Sequence, residues 1–228
     1  LDAEDLHALL QHRRQIEIRD RRHDDIDESV REEGDRDDAV DVAPPSGGGA
    51  VGVHWLFAPV ADVNPAPGNP IVNVRAYGSD PADVSRFVAA YIKGARAGHA
   101  LTAAKHFPGH GDTDVDSHVE LPVLQVTRAR LDSVELPPFR AAIGAGTSAI
   151  MTGHLAIPAL TGSRGLPASV APQTASLIRN DLQFAGIVVT DAMTMGALRR
   201  LPGYFPAEIA IRAVEAGGDV VLSPPDRL

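Results

Sequence analysis

Five short apolar runs, separated by longer stretches of helical period, constrain the fold of this chain more than any other feature. They are Val51–Val60 (VGVHWLFAPV), Ala100–Lys105, Ser148–Thr152 (SAIMT), Gly186–Thr190 (GIVVT) and Asp219–Leu222. Runs of this length that are apolar throughout predict strands buried on both faces, hence a parallel sheet covered by crossover helices. Helical spacing lies between them. Over Pro81–Gly98, residues Val84, Phe87, Val88, Tyr91 and Ile92 mark one face, and Pro81 suits a first turn. Thr127–Gly144 reads as two pieces parted at Pro137–Pro138, and Pro172–Phe184 presents Leu177, Ile178 and Leu182 on one side. Pro206–Ala216 stops at Gly217–Gly218, and GHLAIPAL after the third run reads as a loop. This alternation predicts an α/β fold, either a doubly wound sheet or a (β/α)8 barrel, with the functional site at the C-terminal ends of the strands. Five strands cannot close an eight-stranded barrel, so the expectation is an open sheet or part of a barrel.

Charge divides the chain. Residues 1–42 hold 15 of the 30 acids and 7 of the 21 Lys and Arg residues, a balance of −8, which leaves −1 for the rest. A helix is plausible at Asp2–Gln11, where Leu6, Leu9 and Leu10 could form an edge, and the text from Arg13 to Asp41 has no sustained period. Residues 1–49 are therefore an atypical acidic, Arg-rich head closing in a PPSGGG linker, disordered or not native to the domain, and residues 50–228 form the body. A net charge of −9 argues against nucleic acid or an anionic membrane as a partner. Zero cysteines exclude disulfides and thiolate chemistry. No basic n-region opens the sequence and no apolar run spans a bilayer, which favours a cytoplasmic location. Neither GxGxxG nor GxxxxGK[ST] occurs, which disfavours nucleotide binding.

Polar residues at the predicted strand ends are Asp62, Asn64, Arg75, Lys105, His106, His118, His154 and Asp191. Asp191, directly after GIVVT, could act as base, metal ligand or nucleophile, or could cap the following segment. The stretch Lys105–His118 (KHFPGHGDTDVDSH) is too polar and too broken by Gly and Pro for regular structure. In it Asp116 and His118 stand two apart, a spacing that in extended chain puts a carboxylate beside an imidazole and makes a general acid/base. His106, His110, Asp112, Asp116 and His118 are also possible metal ligands, but Ser117 and Val123 stand where an EF-hand needs Gly and Glu, and no metal or cofactor is expected. Lys105, His106 and Arg75 suit a polyhydroxylated ligand, while Trp55 and Phe57 suit a core better than a sugar platform.

KHFPGHGDTDVDSH followed by Leu121–Pro122 resembles the signature of glycoside hydrolase family 3, in its β-N-acetylglucosaminidase branch. FAPVADVN, NPIVNVRAYG, AIMTGHLAIPAL and VVTDAMTMGAL extend the resemblance from about Gly52 to Asp226. It implies a (β/α)8 TIM-type barrel, here incomplete because nothing in residues 1–50 matches the family's first strands. It also implies retaining hydrolysis of terminal β-linked N-acetylglucosamine, as in peptidoglycan fragments, with no cofactor. By this resemblance Asp191 is the nucleophile, and His118 on a mobile loop is the acid/base, paired with Asp116. Arg75, Lys105, His106, His154 and Asp62 are then the sugar-binding set. The rivals are β-glucosidase action, phosphorolysis and a catalytically impaired sugar-binding fragment.

Overall fold

In the computed structural model, residues 52–65, 68–201, 203 and 205–224 are described. The acidic head over 1–49, with its expected first helix, lies outside the described residues. Four parallel strands, β1 (Trp55–Leu56), β2 (Leu101–Phe107), β3 (Ala149–Thr152) and β4 (Ile187–Thr190), lie side by side in the order β1-β2-β3-β4. Spatial order equals chain order, without the reversal that defines a doubly wound sheet. The two faces of the sheet also differ. On one, Ala104, Ile150 and Val188 pack in a cluster with Val84, Val88 and Ile92 of α1 (Pro81–Ala97) and Phe139 and Ala142 of α2 (Pro137–Gly144). On the other, Ala103, Ala149, Met151 and Val189 meet Trp55, Phe57, Val220 and Leu222, side chains of strands and their continuations alone. A sheet with helices on one face and its own strand residues on the other is an arc of a barrel wall. Among the described residues the barrel is not closed.

Local sequence explains the elements. Asp80 caps α1, accepting from the N–H groups of Ala82 and Asp83 at 2.8 and 3.1 Å, and Pro81 takes the first helical position. Val84, Val88 and Ile92 are fully buried, as the spacing predicts. A helical turn at Arg128–Arg130 widens into a π-helical stretch, Leu131–Glu135, before α2. The segment after β3, expected to be loop throughout, contains a turn of helix, α3 (Pro158–Thr161), started by Pro158 and stopped at Gly162 with φ +70°. After it, α4 (Pro172–Ser176) continues as π-helix over Leu177–Asp181. Short α5 (Gly196–Arg199) and α6 (Pro206–Glu215) complete the set.

Both outer strands are shorter than expected. Of the run over 51–60, only Trp55–Leu56 forms a ladder, with a separate bridge from Val60 to Lys105. Pro59 has no N–H to give to a ladder, and its carbonyl instead accepts from Lys105 N–H at 3.1 Å. The run over 219–222 contributes one bridge, Val220 to Val189, beside β4.

Phe107 at the end of β2 meets Phe139 of α2 edge to face, with centroids 5.0 Å apart, and both side chains are fully buried. Phe139→Ala is therefore expected to destabilise the body by about 3–5 kcal/mol. A lowered urea midpoint with unchanged slope checks this, and an unchanged midpoint contradicts it.

Candidate active site

The sheet delivers its polar residues to one end. Asp62 follows the Val60 bridge, Lys105 and His106 close β2, His154 follows β3 and Asp191 follows β4. Between Lys105 and Phe107 the pairing of β2 with β3 slips in register, an irregularity that redirects side chains at a sheet end. The Lys105–His106 peptide is cis.

Asp62 is fully buried, and its carboxylate is committed. It accepts from the backbone N–H of His106 at 3.2 Å, from that of His110 at 2.7 Å and from His106 Nδ1 at 2.7 Å. Burial pushes its pKa up, but His106 and His110 outweigh this and hold it below the ordinary carboxylate value. With Nδ1–H donated to Asp62, His106 turns Nε2 toward Asp191, 4.0 Å from Oδ2. Asp62, expected among the sugar contacts, thus stands behind His106.

Asp191 keeps 18% of its side chain exposed. Its Oδ1 accepts from Ala192 N–H at 2.8 Å, and among the described residues Oδ2 has no hydrogen-bond partner. His154 is fully buried and donates from Nε2 to the Ala192 carbonyl at 3.0 Å, which leaves Nδ1 to accept from the Ser169 hydroxyl at 2.7 Å. Burial lowers its pKa, so it stays neutral and holds the peptide that follows Asp191. Lys105 is half-buried, and its pKa is lowered by that burial and by nearby Arg75, against the pull of Asp191 and Asp62. Arg75 is exposed and anchors its guanidinium on the Ile71 carbonyl. Neither cation has an ion-pair partner among the described residues. Asn64 is drawn to the neighbouring loop, its N–H donating to Gly78 O at 2.9 Å.

Asp116 and His118 meet as expected, with Nδ1 to Oδ1 at 2.8 Å, but in a tight turn and not in an extended stretch. The same Oδ1 accepts the backbone N–H of His118 at 2.7 Å, and the N–H groups of Val119 and Glu120 close the turn on the Asp116 carbonyl. Burial nudges the Asp116 pKa up, and the hydrogen bonds from His118 bring it net below the ordinary value. His118 is 65% exposed, and its Nε2 has no partner among the described residues. The turn is fastened to the Asp191 side, where Ala197 and Gly196 N–H groups donate to the Ser117 and His118 carbonyls at 2.9 and 3.2 Å. A Cβ on Gly196 would lie 2.3 Å from the His118 oxygen, so only glycine allows this approach.

Two residues outside the predicted set hold the loop. Asn69 is buried, donates to the carbonyls of His110 and Gly111, and accepts from Ile71 and Val72. His110, considered above as a metal ligand, has both ring nitrogens engaged. Thr113 Oγ1 donates to the His110 carbonyl, so Nδ1–H donates to Thr113 at 2.7 Å and Nε2 accepts from Ser117 at 3.1 Å. Asp112 turns to Arg130 at 3.0 Å. Among the described residues no three His, Asp or Glu side chains converge as metal ligands.

Residues 47–228 match the family described as the glycosyl hydrolase family 3 N terminal domain. The chain belongs to glycosyl hydrolase family 3. Within the family it is similar to Beta-hexosaminidase A of Pseudoalteromonas piscicida, 37% identical over 186 residues, which are 77% of this chain and 31% of that protein. It is also similar to Beta-hexosaminidase LpqI of Mycobacterium tuberculosis, 36% identical over 75% of this chain and 45% of that protein. Among solved structures, the family 3 β-N-acetylglucosaminidase from Paenibacillus sp. str. FPU-7 superposes with a TM-score of 0.74 at 42% identity, covering 78% of this chain and 33% of that one. The chain spans less than half the length of each of these family 3 proteins.

Burial pushes the pKa of His110 down to about 4 from 6.5. Between those values the unfolded chain binds a proton that the folded chain does not, so stability present above pH 6.5 is lost as pH falls toward 4. His110 accounts for on the order of 3 kcal/mol of this acid loss, and neutral His154 adds to it in the same direction. Asp62 and Asp116 titrate below their ordinary 3.8, beneath this window. Urea unfolding across pH 4–7 is expected to show a flatter slope for His110→Gln than for the parent; parallel curves would contradict the assignment.

Proposed function

We propose that this chain is the catalytic part of a retaining glycosidase that removes terminal β-linked N-acetylglucosamine. Asp191 Oδ2 attacks the anomeric carbon while the Nε2–H of protonated His118 gives its proton to the departing glycosidic oxygen. The carbon–oxygen bond breaks as the Asp191 ester forms. His118, now neutral, takes a proton from water, which attacks the same carbon as the bond to Asp191 Oδ2 breaks. The carboxylate and the protonated His118 are restored, and the sugar leaves with its configuration retained. Asp116 fixes the ring with Nε2 outward and offsets the charge of the imidazolium. The sugar lies over His106, with Lys105 and Arg75 donating to its hydroxyls. Asp62 and His154 act as positioning residues, the first for His106 and the second for the peptide after Asp191.

The observation that carries this reading is the hydrogen-bonded Asp116–His118 pair, fastened through Gly196 to the segment that begins with Asp191. A histidine in place of a second carboxyl is chemically suited to an acid/base near neutral pH. The relatives named as hexosaminidases favour N-acetylglucosamine over glucose as the sugar, and peptidoglycan fragments are the substrates we assign to this chain.

Turnover of an aryl β-N-acetylglucosaminide is expected to exceed that of the matching glucoside. Asp191→Ala should lower it on the order of 10⁴-fold or more. His118→Ala should lower it about 10²–10⁴-fold, with the larger loss on poor leaving groups. Faster glucoside cleavage would point to a β-glucosidase, and a sugar 1-phosphate formed on adding phosphate would point to phosphorolysis. A folded chain that binds the sugar without turnover would point to an impaired sugar-binding fragment.

A further inference from the structure

We propose that the leaving-group side of this site is built for an anionic aglycone bearing a carboxylate, with Arg199 and Arg200 as its specificity-determining residues; the inference rests on the glycosidase reading above. An acid/base must touch the glycosidic oxygen, so whatever lies beyond that oxygen occupies the space next to His118. That space is a cavity of about 420 Å³ lined by His118, Thr194, Gly196, Arg199 and Arg200. Arg199 ends α5 and Arg200 caps it. The N–H groups of Gly196 and Ala197, on the same turn of chain, bind the carbonyls of His118 and Ser117, so the arginines are held beside the acid/base.

Among the described residues, no acid pairs with either arginine. Arg86, Arg128, Arg130, Arg179 and Arg212 each pair with an acid. Arg75, Arg96, Arg140 and Arg164 make no ion pair among the described residues either, so it is the cavity shared with His118 that sets Arg199 and Arg200 apart. Arg199 and Arg200 are exposed and make no ion pair among the described residues, and the nearby Asp116 is committed to His118. Two adjacent guanidiniums with no acid partner among the described residues, lining the leaving-group space, offer fork-shaped donors that match a carboxylate. A neutral aglycone would leave that field unused.

The test compares 4-carboxyphenyl and 4-carbamoylphenyl β-N-acetylglucosaminides, which are alike in shape and differ in charge. In the parent, kcat/KM is expected to favour the acid by about five- to tenfold at low salt, with the ratio shrinking as salt rises. The Arg199→Ala/Arg200→Ala double variant should lose that preference, and Arg199→Lys/Arg200→Lys should keep part of it. A ratio identical in parent and alanine variant overturns the inference, and because both glycosides are read on one preparation, a folding defect does not imitate the result. If neither glycoside turns over, the glycosidase reading fails by itself. Calorimetric binding of the sulfur-linked analogues then reads the same preference, and equal affinity of the parent for the two analogues overturns the inference.

Discussion

Asp62 has no exposed surface, yet it is ionised and accepts from the ring of His106 and from the backbone of both His106 and His110. A buried carboxylate is tolerated when donors replace the lost water, and three groups of donors do so here. The arrangement has two consequences. It sets the tautomer of His106, so that Nε2 faces Asp191, and it anchors the start of the loop that carries Asp116 and His118. From His110 the hold passes through Ser117, and from Ser117 to Ala197 beyond Asp191. Asp191, His106 and the Asp116–His118 turn are thereby tied to one buried charge.

The site is electrostatically balanced around this charge. Lys105 feels the charges of both Arg75 and Asp191, and neither cation has an ion-pair partner among the described residues. Burial of Lys105 makes its ammonium a donor in search of an acceptor. His154 is kept neutral where a charge would compete with Asp191. Beside His118, Arg199 and Arg200 add positive charge to the cavity they line together. The body is nearly neutral overall, so these fields are local features of the strand ends.

Much of this was legible in the residues. Apolar runs set β2, β3 and β4 within a few residues, because a strand buried on both faces admits little else. Asp80–Pro81 marked the start of α1 for the same kind of local reason. The ends of the arc were less legible. Pro59 breaks the first strand where propensity alone reads ten residues, and the run over 219–222 lies beside β4 with a single bridge. Spacing found the Asp116–His118 pair but not its turn geometry, which depends on one oxygen accepting from both ring and backbone. Spacing could not show that Asp62 and His154 are fully buried and already hydrogen-bonded, since burial behind another side chain is a tertiary property. Asn69 gave one weak signal, an Asn before Pro, and its hold on His110 spans 41 positions.

The proposed reaction turns on a covalent bond between Asp191 and the sugar, formed while Asp116 and His118 move the proton. Intact-mass measurement after exposure to a 5-fluoro N-acetylglucosaminyl donor tests it most directly, because the fluorine slows breakdown of the ester more than its formation. Double displacement through Asp191 gives a single added sugar, mapped by peptide sequencing to Asp191 and absent from Asp191→Ala. An adduct on another residue, or turnover of substrate with no adduct at all, would contradict it.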